Sequence, residues 1–168
     1  MKKIITCIEW LSEWSGKIFS YAIYMGIVIL CYEVLMRYLL SAPTIWAHGM
    51  IQRIFAAYYL IGGAYVLLHE GHINMDLVHG RLGIRSKALL DVVTSVFVIG
   101  TGVVLAWYGG KFAWKSIQVL EVCNSAWQAP VYPVKAMFPI AGILLVLQAM
   151  SKLIKDIYAV INGRQYEH

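Results

Sequence analysis

An all-α integral membrane protein with four transmembrane helices and further amphipathic interfacial helices is the fold class this sequence predicts. Three observations predict it. Of 168 residues, 60% are hydrophobic and 14% charged, with a mean hydropathy of +0.67, against about 45–50% apolar and about 25% charged in an ordinary soluble domain. The apolar residues gather into four stretches close to the roughly 20 residues that a helix needs to cross about 30 Å of hydrocarbon. The basic residues fall mainly on one side of those stretches. Such a composition argues against a soluble enzyme, a nucleic-acid-binding domain and a disordered tail, and the length leaves no room for a large extramembrane domain.

The first crossing is placed at 18–40, uncharged as far as Tyr32 and carrying Glu33 and Arg37 near its end. Ser41-Ala42-Pro43-Thr44 ends it, because proline lacks an N–H donor and disfavours helical geometry in the residue before it. The second crossing, 50–69, has Arg53 as its only charge. The third, 89–110, is uncharged from Val92. The fourth, 134–154, is uncharged over 136–151 and reaches its end if Lys152 snorkels to the interface.

Before the first crossing, Ile4, Ile8, Leu11 and Ile18 recur at helical spacing, with Trp10 and Trp14 as interfacial anchors. Residues 1–17 therefore read as an amphipathic helix in the membrane plane. The Met-Lys-Lys start imitates a signal peptide, but Glu9 and Glu13 interrupt the apolar region, so the segment is expected to be retained. A second amphipathic stretch, 111–122, is expected either to prolong the third crossing or to bend along the surface.

Orientation follows from the excess of Lys and Arg in cytoplasmic loops. With the N-terminus inside, the inner side receives Lys2, Lys3, Lys17, Arg81, Arg85, Lys87, Lys152, Lys155 and Arg164, nine of the 14 Lys and Arg residues. Both termini are thus expected to be cytoplasmic.

Few residues promise chemistry. Cys7, Cys31 and Cys123 form no CxxC pair, which removes a quinone-linked thiol oxidoreductase. His69-Glu70-Gly71-His72 lacks the four-residue spacing of the zinc-protease motif. His69, His72, Asp76 and His79 have the residue types of a metal site but read better as a solvated helix exit. A haem-binding membrane anchor is the alternative function, since such subunits are small and use histidine ligands. Here, however, His48 and His69 lie about 32 Å apart along one helix. Asp91 is assigned to the favourable N-terminal end of the third helix. Glu33 and Arg37, four residues apart, share a helix face and are expected to form an ion pair or to meet a partner subunit. Arg53 reads as a headgroup or subunit contact. Gly62-Gly63 is taken as a close-packing point between helices. No span carries the clustered carboxylates or broken helix of a self-sufficient ion-coupled carrier.

Several motifs occur in a telling order: Met36-Arg37-Tyr38, Pro43-Thr44-Ile45-Trp46-Ala47-His48, Tyr59-Leu60-Ile61-Gly62-Gly63-Ala64-Tyr65-Val66-Leu67, His72-Ile73-Asn74-Met75-Asp76, Ser125-Ala126-Trp127-Gln128-Ala129-Pro130, Tyr132-Pro133-Val134-Lys135 and Pro139-Ile140-Ala141-Gly142. Together they resemble the small membrane subunit of tripartite ATP-independent periplasmic (TRAP) transporters over about 18–156. Two positions depart from the family pattern: Gly49 stands where many relatives carry glutamate, and Asn74 where a basic residue is frequent.

The resemblance implies a single small-subunit domain over 1–168, without enzymatic activity, cofactor or metal, in a bacterial inner membrane. Its implied partners are a large sodium-driven elevator permease, a periplasmic binding protein that captures an organic acid, and membrane lipids. It implies a scaffold that braces the permease and helps to dock the binding protein. Glu33, Arg37 and Arg53 are the candidates for the permease contact. Trp46, His48, Trp127, Gln128 and Tyr132 are those for the binding protein.

Overall fold

A computed structural model describes residues 2–69 and 84–162. It contains four long helices: α1 (Lys2–Tyr38), α2 (Ala47–Leu68), α3 (Ile84–Gln118) and α4 (Tyr132–Asn162). All four are long and apolar enough to cross a membrane. At about 1.5 Å per residue, α2 is about 33 Å long and matches the hydrocarbon, whereas α1 at about 55 Å exceeds it. The predicted breaks fall where proline chemistry places them: α1 ends at Tyr38, and Pro43 lies in the irregular connection to α2. Pro139 lies inside α4, in its second or third turn.

One expectation about helix ends changes, and one pair of alternatives is decided. Residues 1–17 were read as a separate interfacial helix, but from Lys2 onward the chain is one α-helix through to Tyr38. No proline stands at the supposed junction, Gly16 there is packed against Tyr65, and Ser15 and Ser20 bond back to the carbonyls of Ser12 and Lys17 within the helix. The stretch from Lys111 prolongs α3 to Gln118.

The chain forms two antiparallel hairpins. α2 packs along α1, α3 packs along α4, and α4 joins the pairs through α2 and, less extensively, α1. Lipid gives apolar side chains no reason to leave it, so helix association there relies on close backbone approach and internal polar bonds. The α3–α4 seam has such an approach: a Cβ on Gly142 would stand 2.5 Å from the Ala106 nitrogen and 2.8 Å from the Gly102 oxygen. One on Gly109 would meet Phe138 Cβ at 2.8 Å. On α1, Gly26 leaves room for the ring of Phe55 at 3.2 Å. Ile61, Ala64 and Leu144, with Phe19 against them, form the small core where α1, α2 and α4 meet.

Gly62 and Gly63 do not serve as the packing point assigned to them. A Cβ at either position would have no neighbour within 4 Å among the described residues.

Polar bonds tie the end of the bundle that carries the chain termini. Ser12 Oγ donates to Gln148 Oε1 at 3.0 Å in the buried interior, and Lys155 bonds Glu9. Glu13 bridges Lys17 at 2.8 Å and His69 at 2.7 Å. Lys152 turns inward instead of snorkelling, its Nζ lying 4.0 Å from Asp91. Asp91 is 7% exposed and sits two turns inside α3, so a cation on α4 takes the role first assigned to the helix N-terminus.

Gly142→Ala should therefore cost about 1–3 kcal/mol, the usual range for overpacking a tight contact. Gly62→Ala should be neutral or stabilise by at most about 1 kcal/mol through helix propensity. Dodecyl sulfate titration of the purified protein, followed by tryptophan fluorescence, separates the two.

Candidate functional site: the hairpin end

All eight candidate residues fall at the end of the bundle where both helical hairpins turn. The first turn is held by Glu33. Its carboxylate, on a residue 6% exposed, accepts from Arg37 Nη2 at 2.6 Å and Nε at 3.2 Å. It also accepts from the Thr44 backbone N–H at 3.2 Å and from the Thr44 hydroxyl. A carboxylate facing lipid needs such partners, and here one cation and two donors of the returning chain supply them. The i,i+4 spacing announced the Arg37 bond, whereas Thr44, eleven residues away, carried no local signal. Arg37 keeps half of its side chain exposed, at 51%. Ser41 adopts the left-handed region at φ 50°, and Ala42 N–H reaches back to the Met36 carbonyl at 3.0 Å.

The second turn, 119–131, folds back on itself. Val122 and Pro130 form an isolated antiparallel bridge, Cys123 N–H donates to Ala129 O at 2.9 Å, and Val131 N–H donates to Glu121 O at 2.9 Å. Gln128 takes φ 46° and donates its N–H to Ser125 O at 2.9 Å. Glu121 pairs with Lys135 at the start of α4 at 2.5 Å, and this ammonium holds the Glu121 carboxyl below the usual glutamate range.

Arg53 ties the start of α2 to the second turn. Its Nη1 donates to Gly49 O at 2.8 Å and its Nη2 to Ala129 O at 3.3 Å, and its guanidinium lies 4.9 Å from the Trp127 ring centre. Thus Arg53 folds against the second turn. Gly49 has a reason to be glycine here. A Cβ would come within 2.9 Å of Arg53 Nη1 and 3.1 Å of the Trp127 ring, so the missing side chain is what lets the ring sit over α2.

Of the other candidates, Trp46 is half-buried and stacks on Tyr32, with ring centres 6.0 Å apart. His48 is exposed and bonds Gln52 at 3.1 Å. Tyr132 opens α4 and is half-buried. The structure therefore gathers Arg53, His48, Trp127 and Gln128 around the second turn, and Glu33, Arg37 and Trp46 around the first.

The features considered for chemistry lie apart. His48 and His69 sit at opposite ends of α2 and have separate partners, Gln52 and Glu13. Cys7 and Cys31 are exposed on α1, and Cys123 belongs to the second turn. His72, Asn74, Asp76, His79 and Arg81 fall outside the described residues, as does Arg164. Arg85 and Lys87 belong to α3, but their side chains are not among those described.

The Glu121–Lys135 pair yields a pH dependence. A carboxyl whose pKa is lower in the folded state stabilises it fully above the unfolded value, about 4.3 for glutamate, and that contribution is lost as pH falls through the folded value. Amide protection at Cys123 and Val131 should thus drop as the pH is taken below about 4. Glu121→Gln should show weaker protection already at neutral pH and lack the acid step, as read by hydrogen exchange.

Comparison with known proteins agrees with this architecture. A family model described as tripartite ATP-independent periplasmic transporters, DctQ component, matches residues 9–158. A sialic acid TRAP transporter small permease protein, SiaQ, of Vibrio cholerae is 23% identical over 133 residues, which cover 76% of this chain and 72% of that protein. With the family match covering all four helices in order, this multi-pass chain belongs to the small permease component of the TRAP transporters.

Proposed function

We propose that this chain is the scaffold subunit of a sodium-coupled TRAP importer for an organic acid, lodged in a bacterial inner membrane with both termini in the cytoplasm. One observation carries the reading: among the described residues, several ionised and polar groups within the helices are engaged with one another while the outer faces stay apolar. Glu33 is bound by Arg37 and Thr44, Glu9 by Lys155, and Ser12 by Gln148. Large apolar side chains such as Tyr24 and Val28 on α1, and Phe97 and Trp107 on α3, stand more than half exposed. In a membrane these faces meet lipid or another helix. A chain so arranged supplies a stiff wall for a moving partner.

The hairpin end is the docking surface for the periplasmic binding protein on this reading. Trp46, His48, Trp127, Gln128 and Tyr132 border it, and aromatic residues on a fixed surface are frequent anchors of such contacts. Glu33 and Arg53 support the large permease indirectly by fixing the two turns, and Arg37 offers its exposed half to it. The matched relative is named for sialic acid, which is an acid of the proposed substrate class. Selection among organic acids is assigned to the other subunits.

The test is reconstitution with a large permease and a binding protein of the same TRAP system. Sodium-driven uptake should require all three proteins, and this chain alone in sodium-loaded vesicles should transport nothing. Uptake at an undiminished rate by the large permease without this chain would refute the scaffold role. Trp127→Ala combined with Gln128→Ala should raise the binding-protein concentration for half-maximal uptake about tenfold, as expected for loss of about 1.4 kcal/mol at an interface anchor. Co-purification with the permease should be unchanged.

A further inference from the structure

A cavity of about 360 Å³ opens beside the second turn, between the start of α2 and the start of α4. Ligand pockets typically combine mostly apolar walls with a few placed polar groups. Here Arg53 lies on one side, His48 and Gln52 on the exposed lip, and Ala56, Val131 and Val134 supply apolar wall. Arg53 is half-buried, and among the described residues no carboxylate pairs with it. Its charge rests on two carbonyl oxygens and the face of Trp127, and its buried Nε–H has no acceptor. A guanidinium in that state favours an anion.

What lies along the helix from the cavity narrows the choice of anion. Ala56 is followed on the same face by Tyr59, which is exposed, and by Gly63, where even a Cβ would meet nothing within 4 Å among the described residues. The polar pocket thus continues into an uncovered apolar track that points toward the middle of α2. Arg53 lies six residues from the start of this helix, about 9 Å along its axis. That is the depth from which an arginine reaches the headgroup layer of the bilayer.

We propose that this cavity binds an anionic phospholipid, with the phosphate at Arg53 and the lip formed by His48 and Gln52, and an acyl chain laid along Ala56, Tyr59 and Gly63. The negative headgroup answers the unpaired cation, and the acyl chain covers the track. An acidic peptide of a partner protein would answer the charge but leave the track bare.

The test uses the full chain in nanodiscs of phosphatidylcholine containing a minor fraction of phosphatidylglycerol. Native mass spectrometry should show one retained phosphatidylglycerol, favoured over phosphatidylcholine about fivefold, the factor expected for one basic side chain at an anionic lipid surface. Arg53→Gln should abolish that preference. Because Arg53 also holds the second turn, Ala56→Phe provides an independent variant that fills the wall and leaves the guanidinium bonds in place; it too should lose the retained lipid. Equal retention by wild type and Ala56→Phe overturns the proposal, as does a Tm gain from inorganic phosphate that equals the gain from phosphatidylglycerol. Finally, a photoreactive residue at Gln52, in cells expressing the whole transporter, should yield lipid adducts. Adducts solely to protein would overturn the assignment.

Discussion

A helix that faces lipid on both sides cannot be folded by apolar burial alone, and this constraint governs how the four helices are joined. The hydrocarbon solvates leucine as well as a protein interior does, so the energetic difference between packed and separated helices comes from close backbone approach and from polar groups that lipid cannot satisfy. Both devices are present. Gly102 and Gly142 let α3 and α4 approach along their backbones. Ser12 with Gln148, and Glu9 with Lys155, bind the start of α1 to the far half of α4. The apolar side chains that dominate the composition mostly face outward.

That division explains what could be read from the sequence. Each crossing is a local property of a stretch of chain, and the four helices cover the assigned stretches but for residues 39–40 and 69. Pairing is not local. Gly62-Gly63 looks like a packing pair in the sequence, whereas the real approach uses Gly102 and Gly142, 40 residues apart in the sequence. Only knowledge of which helix faces which could choose between them. The same limit applies to charges. The Glu33–Arg37 pair follows from spacing within one helix, but Thr44 as partner of Glu33, Ala129 as partner of Arg53 and Lys152 as the cation near Asp91 depend on the turns and the tertiary arrangement. Likewise, the need for glycine at position 49 comes from the ring of Trp127, 78 residues away in the sequence.

The two ends of the bundle differ in what their polar residues accomplish. At the terminal end, the bonds run between helices: α1 to α4 through Glu9 and Ser12, and α1 to the end of α2 through Glu13 and His69. At the hairpin end they run chiefly between a helix and a turn, as Glu33 does with Thr44, Glu121 with Lys135, and Arg53 with Ala129. The first arrangement fixes the spacing of the helices. The second fixes the shape of an exposed surface, which matters only if something must recognise that surface.

This asymmetry bears on why charged residues are kept near lipid in this subunit. Each ionised group in an apolar layer carries a desolvation penalty that pairing offsets only in part. An apolar substitute for Glu33 and Arg37 would leave α1 more soluble in lipid, but it would free the connection between α1 and α2, because both donors of Thr44 would lose their acceptor. Likewise, a smaller residue at position 53 would release both Gly49 and Ala129, and with them the seat of Trp127. The charges are therefore best understood as shape-determining groups of two short turns, kept where a soluble domain would use a hydrophobic core that these turns, at the edge of the bilayer, have no room to build.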